Sequence, residues 1–227
     1  MRGSLAILNF HGIGVPHDGV PADEVPYWVS ADKFRTVLDQ IKQFEAQGGQ
    51  ALITFDDGNR SDLEIASPEL KLRNMTGHFF ILTGRFGDPR YLSPVDLLRL
   101  QESGMAIGLH GRDHVDWRKL DTAGLAAETI DARHRLGEIV GQRIDTVGIP
   151  FGAYNRRVIE HLKQAGFQEI YTSDGGYASR RRVVRHRTSV RSDMSDSQIA
   201  GVLNGRESVV AKTRRGLKAW LKEHIVA

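Results

Sequence analysis

The chain has no cysteine among its 227 residues. Disulfides and thiolate metal ligands are thereby excluded, and a reducing, cytosolic setting is the simplest context. Long apolar runs are missing too. Nothing approaches the ~20 residues that a membrane-spanning helix needs. Behind Met1-Arg2-Gly3-Ser4, the apolar stretch Leu5 to Phe10 meets His11 before it is long enough for the core of a secretory signal. The expectation is therefore a cytoplasmic protein. An excess of one charge is also lacking: the formal net charge is +3, too modest to argue for nucleic acid as a partner. There is no internal repeat and no low-complexity linker.

What is present suits one globular domain spanning residues 1–227, since 40% hydrophobic content can fill a substantial core at this length. Seven short stretches read as strands: Leu5 to Phe10, Ala51 to Phe55, Gly77 to Leu82, Met105 to Leu109, Thr146 to Ile149, Gln168 to Thr172 and Arg182 to Val190. Helical patterns separate most of them. Ser30 caps one carrying Phe34, Val37, Leu38, Ile41 and Phe44, and Ser93-Pro94 opens another. Ser61 to Leu72 is a weaker helix broken at Pro68, and Asp121 to Val140 is a long one with Leu125, Ile130, Leu136 and Ile139 inward. Residues 15–30, rich in proline, read as a loop. Alternating strands and helices imply a parallel α/β fold.

Two clusters carry the chemistry. Ala51-Leu-Ile-Thr-Phe55 is a buried strand that runs straight into Asp56, Asp57 and Gly58. Adjacent acids raise each other's pKa, and a strand does not end this way without cost. A glycine able to adopt positive φ lets both carboxylates face one cleft. The strand Met105 to Leu109 ends in His110, with His114 four residues later. Two neutral imidazoles and a carboxylate suffice to bind one metal ion. Both clusters lie at the C-terminal ends of predicted parallel strands, where α/β folds place their active sites.

In these motifs the chain resembles the polysaccharide deacetylases with the NodB homology domain, carbohydrate esterase family 4. Thr54-Phe-Asp-Asp-Gly58 matches the first motif of that family, His110 to His114 the second, and Pro150-Phe151-Gly152 with Ala153-Tyr154-Asn155 the third. The resemblance runs from about Ala6 to Val190. It implies a distorted (β/α)7 barrel and a metal-dependent deacetylase acting on an N-acetylated, or O-acetylated, sugar in envelope or exopolysaccharide synthesis. The sugar would be free, lipid-linked or nucleotide-linked. Asp57, His110 and His114 would hold one divalent ion, zinc by default, with cobalt, nickel or iron also suited to the set. Asp56 would be the general base, and the Phe151 N–H would donate to the oxyanion. For the general acid there are two candidates, His186 in Val184-Arg-His186 and His11. Pro150, Phe151, Gly152, Arg187 and Trp117 are the candidate substrate-contacting residues, with Trp117 stacking on a sugar ring at the cleft mouth.

The chain departs from the family pattern in two places. Gly111 stands where the family usually has Ser or Thr. Gly148 stands where many members have an arginine that pairs with the base, a charge that Arg187, or Arg185, would supply instead. These departures leave two other readings open: another amide hydrolase, such as a deformylase of a lipid-linked amino sugar, and a glycan-binding relative without turnover. Residues 206–227 read as a basic amphipathic helix with Val210, Leu217, Trp220, Leu221 and Ile225 near one face. Packing on the barrel is the first expectation for it, contact with a membrane surface the second.

Overall fold

A computed structural model describes residues 4–205 of the chain; the helix expected at 206–227 lies outside them. In chain order the elements are β1 (Ser4–Phe10), β2 (Gly12–Ile13), β3 (Trp28–Val29), α1 (Ala31–Ala46), β4 (Ala51–Phe55), α2 (Ser67–Leu72), β5 (His78–Leu82), α3 (Pro94–Glu102), β6 (Ala106–Gly111), α4 (Thr122–Ala126), α5 (Ala132–Val140), β7 (Thr146–Gly148), α6 (Arg156–Gln164), β8 (Glu169–Thr172), β9 (Tyr177–Ser179), β10 (Val184–His186), β11 (Thr188–Ser189) and α7 (Asp196–Leu203). The caps act where their residues predict. The Ser30 side chain accepts from the Lys33 N–H, and Ser93 forms a reciprocal box with Asp96 ahead of Pro94. No helix of the described residues is long and apolar enough to cross a membrane.

The main sheet runs β10-β8-β7-β6-β5-β4-β1-β11, all neighbours parallel. The predicted last strand, Arg182 to Val190, explains how this sheet becomes a nearly closed barrel. Its first half, β10, pairs with β8, and its second half, β11, pairs with β1. Arg187 lies between the halves, at the seam. Its N–H donates to Thr172 on one side, and the Val190 N–H donates to Asn9 on the other. Counted as one split strand, β10 and β11 complete seven parallel strands, a distorted (β/α)7 barrel. β9 adds an antiparallel edge to β1. Gly175 and Gly176 and its three-residue length hide it in the sequence.

Strand alternation sorts the core into two layers. The outward residues of the barrel, such as Leu8, Phe10, Phe55 and Leu109, pack against Phe34, Val37, Leu97, Leu136 and other helix residues. The inward ones, Leu5, Ile7, Phe80 and Tyr171, form a small apolar plug inside the barrel. Above the plug the same inward positions turn polar: Asn9, Thr54 and Arg187 are buried, and Asp56 and His110 follow at the strand ends.

Two helices differ from the periodic reading. Pro68 does not interrupt its helix; it occupies the first turn of α2, after a π-helical turn at Asp62–Ala66. A second π-helical turn, Ala127–Asp131, joins α4 to α5. Glu128 and Thr129, three and four residues after the buried Leu125, share its face and are buried, while Ile130 is only partly so. Residues 15–30 also gain structure, because β3 returns to pair with β2 beside the first strand end.

Candidate active site

The site forms where β1, β4 and β6 end. β1 and β4 are in register through Phe10 and Phe55, and the Asp56 N–H donates to the Phe10 carbonyl. His11 and Asp56 therefore emerge side by side. The chain then bends. Asp57 has φ 77°, and Gly58 continues with φ 68°, which turns the second carboxylate back over the barrel mouth. Of the four non-glycine residues with positive φ among those described, three belong to this site: Asp57, His114 and Phe151. Backbone strain of this kind persists only where surrounding contacts over-determine it, and it gathers at functional sites.

Asp56 is almost fully buried and held from two sides. Arg187 Nη1 and Nη2 fork its two oxygens at 2.7 and 2.8 Å, and Asn9 Nδ2 donates at 2.9 Å. Asn9 is itself fixed, since its oxygen accepts from Arg187 and Thr54. Burial pushes the Asp56 carboxyl up. Arg187, with His110 and His11, more than offsets this, so it stays below the ordinary carboxylate value. Three of the roughly four acceptor directions of the carboxylate are taken, which leaves one for a ligand.

Asp57, His110 and His114 converge: one ligand atom from each lies within 4.8 Å of the others. His110 Nδ1 meets the Gly148 carbonyl at 2.8 Å and so carries a proton. In the neutral ring the lone pair on Nε2 then faces Asp57 Oδ1 at 3.4 Å, and His114 Nε2 faces the same oxygen at 3.6 Å. Asp57 Oδ1 is buried and has no hydrogen-bond partner. Three acceptors aimed at one another, one of them orphaned, fit a cation between them. The donor set, two imidazoles and a carboxylate, suits a divalent first-row ion. Burial lowers His114 to about 4, despite the opposing pull of Asp57, which keeps its ring neutral and able to ligate.

Above these groups lies a cavity of about 360 Å³ lined by His11, Asp56, His110, His114, Phe151 and Tyr27, among others. A second lobe of about 230 Å³ opens on the other side of His114 and Phe151, toward Trp28, Arg85 and Tyr91. Glu24 lines both lobes. Burial, with Asp57 and Asp23, raises its carboxyl to about 7. A wider cavity of about 570 Å³ lies outside the barrel between α6 and β10 and meets none of these residues.

The other candidates divide. His11 lines the lobe over Asp56. His186 does not, and its ring is engaged by Thr172 Oγ1 at 3.0 Å beside Asp174. Phe151 is 57% exposed at the rim, with its ring 4.2 Å from that of His114. Pro150 and Gly152 are buried and shape the turn. Two expectations are corrected. Trp117 is wholly buried in the outer core, so it cannot stack on a sugar at the cleft mouth. Arg187 is wholly buried and committed to Asp56, Asn9 and the Thr172 carbonyl, so it cannot contact substrate. Gly148 makes this reach possible. A Cβ there would lie 3.2–3.3 Å from Phe80, Arg187 Nη2 and His110 Nδ1. The sequence reading missed Asn9, a polar residue inside an apolar strand, and Glu24, hidden in the proline-rich loop.

Residues 45–170 match the family model for polysaccharide deacetylases. The chain belongs to that family. YxkH of Bacillus subtilis, a curated protein named as a polysaccharide deacetylase, is 28% identical to this family member over 148 residues, which is 64% of this chain and 53% of YxkH. The chain thus spans about half the length of that relative. Among solved structures, the Streptococcus pyogenes deacetylase PplD, in complex with acetate, superposes with a TM-score of 0.75 at 20% identity, covering 90% of this chain and 99% of PplD. IcaB from Ammonifex degensii gives 0.70 at 20% identity, covering 91% and 98%. At such identities the structural matches show the shared deacetylase fold.

Proposed function

We propose that this chain is a divalent-metal-dependent deacetylase that hydrolyses an N-acetyl group on a sugar of a polysaccharide. The observation that carries the reading is the convergence of Asp57, His110 and His114 on an orphaned, buried carboxylate oxygen, beside a second carboxylate forked by arginine. A divalent ion held by these three residues supplies Lewis acidity toward an acyl oxygen and lowers the pKa of water. Zinc is the proposed ion; cobalt, nickel and iron suit the same donors.

The rest follows from the chain's own groups. Asp56, ionised and with one free acceptor direction, takes a proton from the attacking water. The water oxygen adds to the acyl carbon. In the Pro150 turn the N–H groups of Gly152 and Ala153 donate to Ile149 and Pro150. The Phe151 N–H lies outside these bonds and is offered to the developing oxyanion. When the C–N bond breaks, the proton that Asp56 took from the water passes to the leaving amine through His11, whose ring burial keeps neutral and which, rather than His186, shares the lobe with Asp56. Exposed Phe151 and the two lobes flanking His114 suit a sugar chain lying across the site. The acetate in the PplD structure accords with such a product.

The two glycines that left a non-enzymatic reading open do not favour it. The space at Gly148 is used by Arg187, which supplies the base's counter-charge, and the space at Gly111 is used by Glu128 and Trp117. The test is acetate release from a panel of N-acetylated glycans by wild type and Asp56→Asn. Release by wild type and at least a ~10²-fold loss in the variant is expected. Equal release by both would refute the assignment.

A further inference from the structure

The loop that joins His110 to His114 is held by a carboxylate from elsewhere in the chain. Glu128 is 2% exposed. Its oxygens accept from the Arg112 N–H at 3.0 Å, from the Asp113 N–H at 3.1 and 3.2 Å, and from Trp117 Nε1 at 3.4 Å. Both backbone donors lie between the two histidines. Arg112 Nε stands 3.8 Å away and adds a cation to an otherwise costly buried anion.

Two further features are fitted to this carboxylate. Gly111 has φ 100°, and a Cβ there would sit 2.8 Å from Glu128 Oε2 and 3.1 Å from the Trp117 ring. A larger residue would expel the carboxylate or distort the loop. The helix position is the second feature: Glu128 lies three residues after the buried Leu125 and four before the buried Ala132, so it shares their core face within the π-helical turn at Ala127–Asp131. On the other side of the loop, the Arg112 carbonyl accepts from the Gly84 N–H at 2.9 Å. The loop is thus clamped from both sides, and it ends at His114 in the strained left-handed conformation.

The geometry points to Glu128 as the positioning residue of the metal site: its carboxylate sets the spacing and orientation of His110 and His114, with Gly111 making room for it. The inference rests on the metal-site reading above. Glu128 touches no proposed ligand atom and acts through the loop backbone. Its removal therefore weakens the metal out of proportion to any loss of fold, because partners that orient ligands govern affinity.

The experiment is zinc titration by calorimetry on metal-stripped wild type, Glu128→Ala and Glu128→Gln, with the cobalt(II) absorption spectrum at saturation and circular dichroism as the check of folding. A folded Glu128→Ala should bind zinc ~10-fold or more weakly and show an altered cobalt spectrum. Glu128→Gln keeps one acceptor oxygen and should fall between it and wild type. A folded Glu128→Ala with affinity within about twofold of wild type and an unchanged spectrum overturns the inference. Should Glu128→Ala not fold, Glu128→Gln decides: weakened binding supports the inference, and wild-type affinity overturns it. A wild-type protein that takes up no zinc or cobalt would bring down the metal-site reading itself, a result distinct from any of these.

Discussion

Arg187, at the barrel seam, forks the Asp56 carboxylate at the end of β4 through two hydrogen bonds of 2.7 and 2.8 Å. Its guanidinium lies above the Phe80 and Tyr171 rings, 5.1 and 5.8 Å from their centres. The pair couples closure of the fold to the state of the base. Burial alone drives the Asp56 carboxyl up, and Arg187 is the largest of the groups that pull it back. In Arg187→Met burial prevails, and Asp56 stays protonated to higher pH. The acid limb of the kcat/KM profile should therefore move to higher pH. Losing one partner of a buried pair should also cost ~3–5 kcal/mol of stability. A pH–rate profile and a denaturant titration of the variant check both. An unmoved acid limb would mean that Arg187 does not tune the base.

The two neighbouring carboxylates should separate cleanly. Asp57→Asn removes the oxygen on which both imidazoles converge and should cut bound metal sharply. Asp56→Asn should keep most of the metal and lose ~10²-fold or more in rate. Elemental analysis beside kinetics checks this. Metal lost from the Asp56 variant and kept by the Asp57 variant would exchange the two roles.

The general acid can be found through the leaving group. His11→Ala should slow release from N-acetyl sugars but spare aryl acetates, whose phenolate leaves without a proton. His186→Ala should leave both nearly unchanged. The reverse pattern would move the role to His186.

Inside the barrel, His78 stacks on Phe80 and pairs with Thr146. Burial, helped by Arg187, lowers it from 6.5 to about 4. Below pH ~6.5 the unfolded chain binds a proton that the native state refuses until about 4. This contribution to stability is present above 6.5 and is lost as pH falls through that window, by on the order of 3 kcal/mol. Unfolding free energy of wild type and His78→Gln between pH 7 and 4 tests it, and the variant should show the shallower fall. Equal slopes would contradict the assignment.

The parts of this account visible in the sequence are those written in short contiguous stretches. Strand ends carrying Asp56-Asp57 and His110…His114 are local patterns; strand–helix alternation implied a parallel α/β fold, and the family resemblance of the motifs implied the seven-fold barrel. What was hidden depends on distant segments meeting. Trp117 follows the histidine motif and resembles a rim aromatic, yet it is core, and its Nε1 donates to the buried Glu128. Glu128 lies on the core face of its helix, but its role depends on the Arg112 and Asp113 N–H groups that the fold brings to it from another segment. The split of the last strand at Arg187 leaves no mark in a stretch that is mostly polar, and Asn9 looks like a flaw in a buried strand until its partners across the barrel are known.

The most direct test of the central claim is acetate release as a function of metal equivalents, using protein first stripped with a chelator and a glycan that the untreated protein deacetylates. The account predicts no release from the stripped protein, a linear return as zinc is added, and a plateau at one equivalent per chain, with none of this in His110→Ala. Release by the stripped protein at the untreated rate would contradict it.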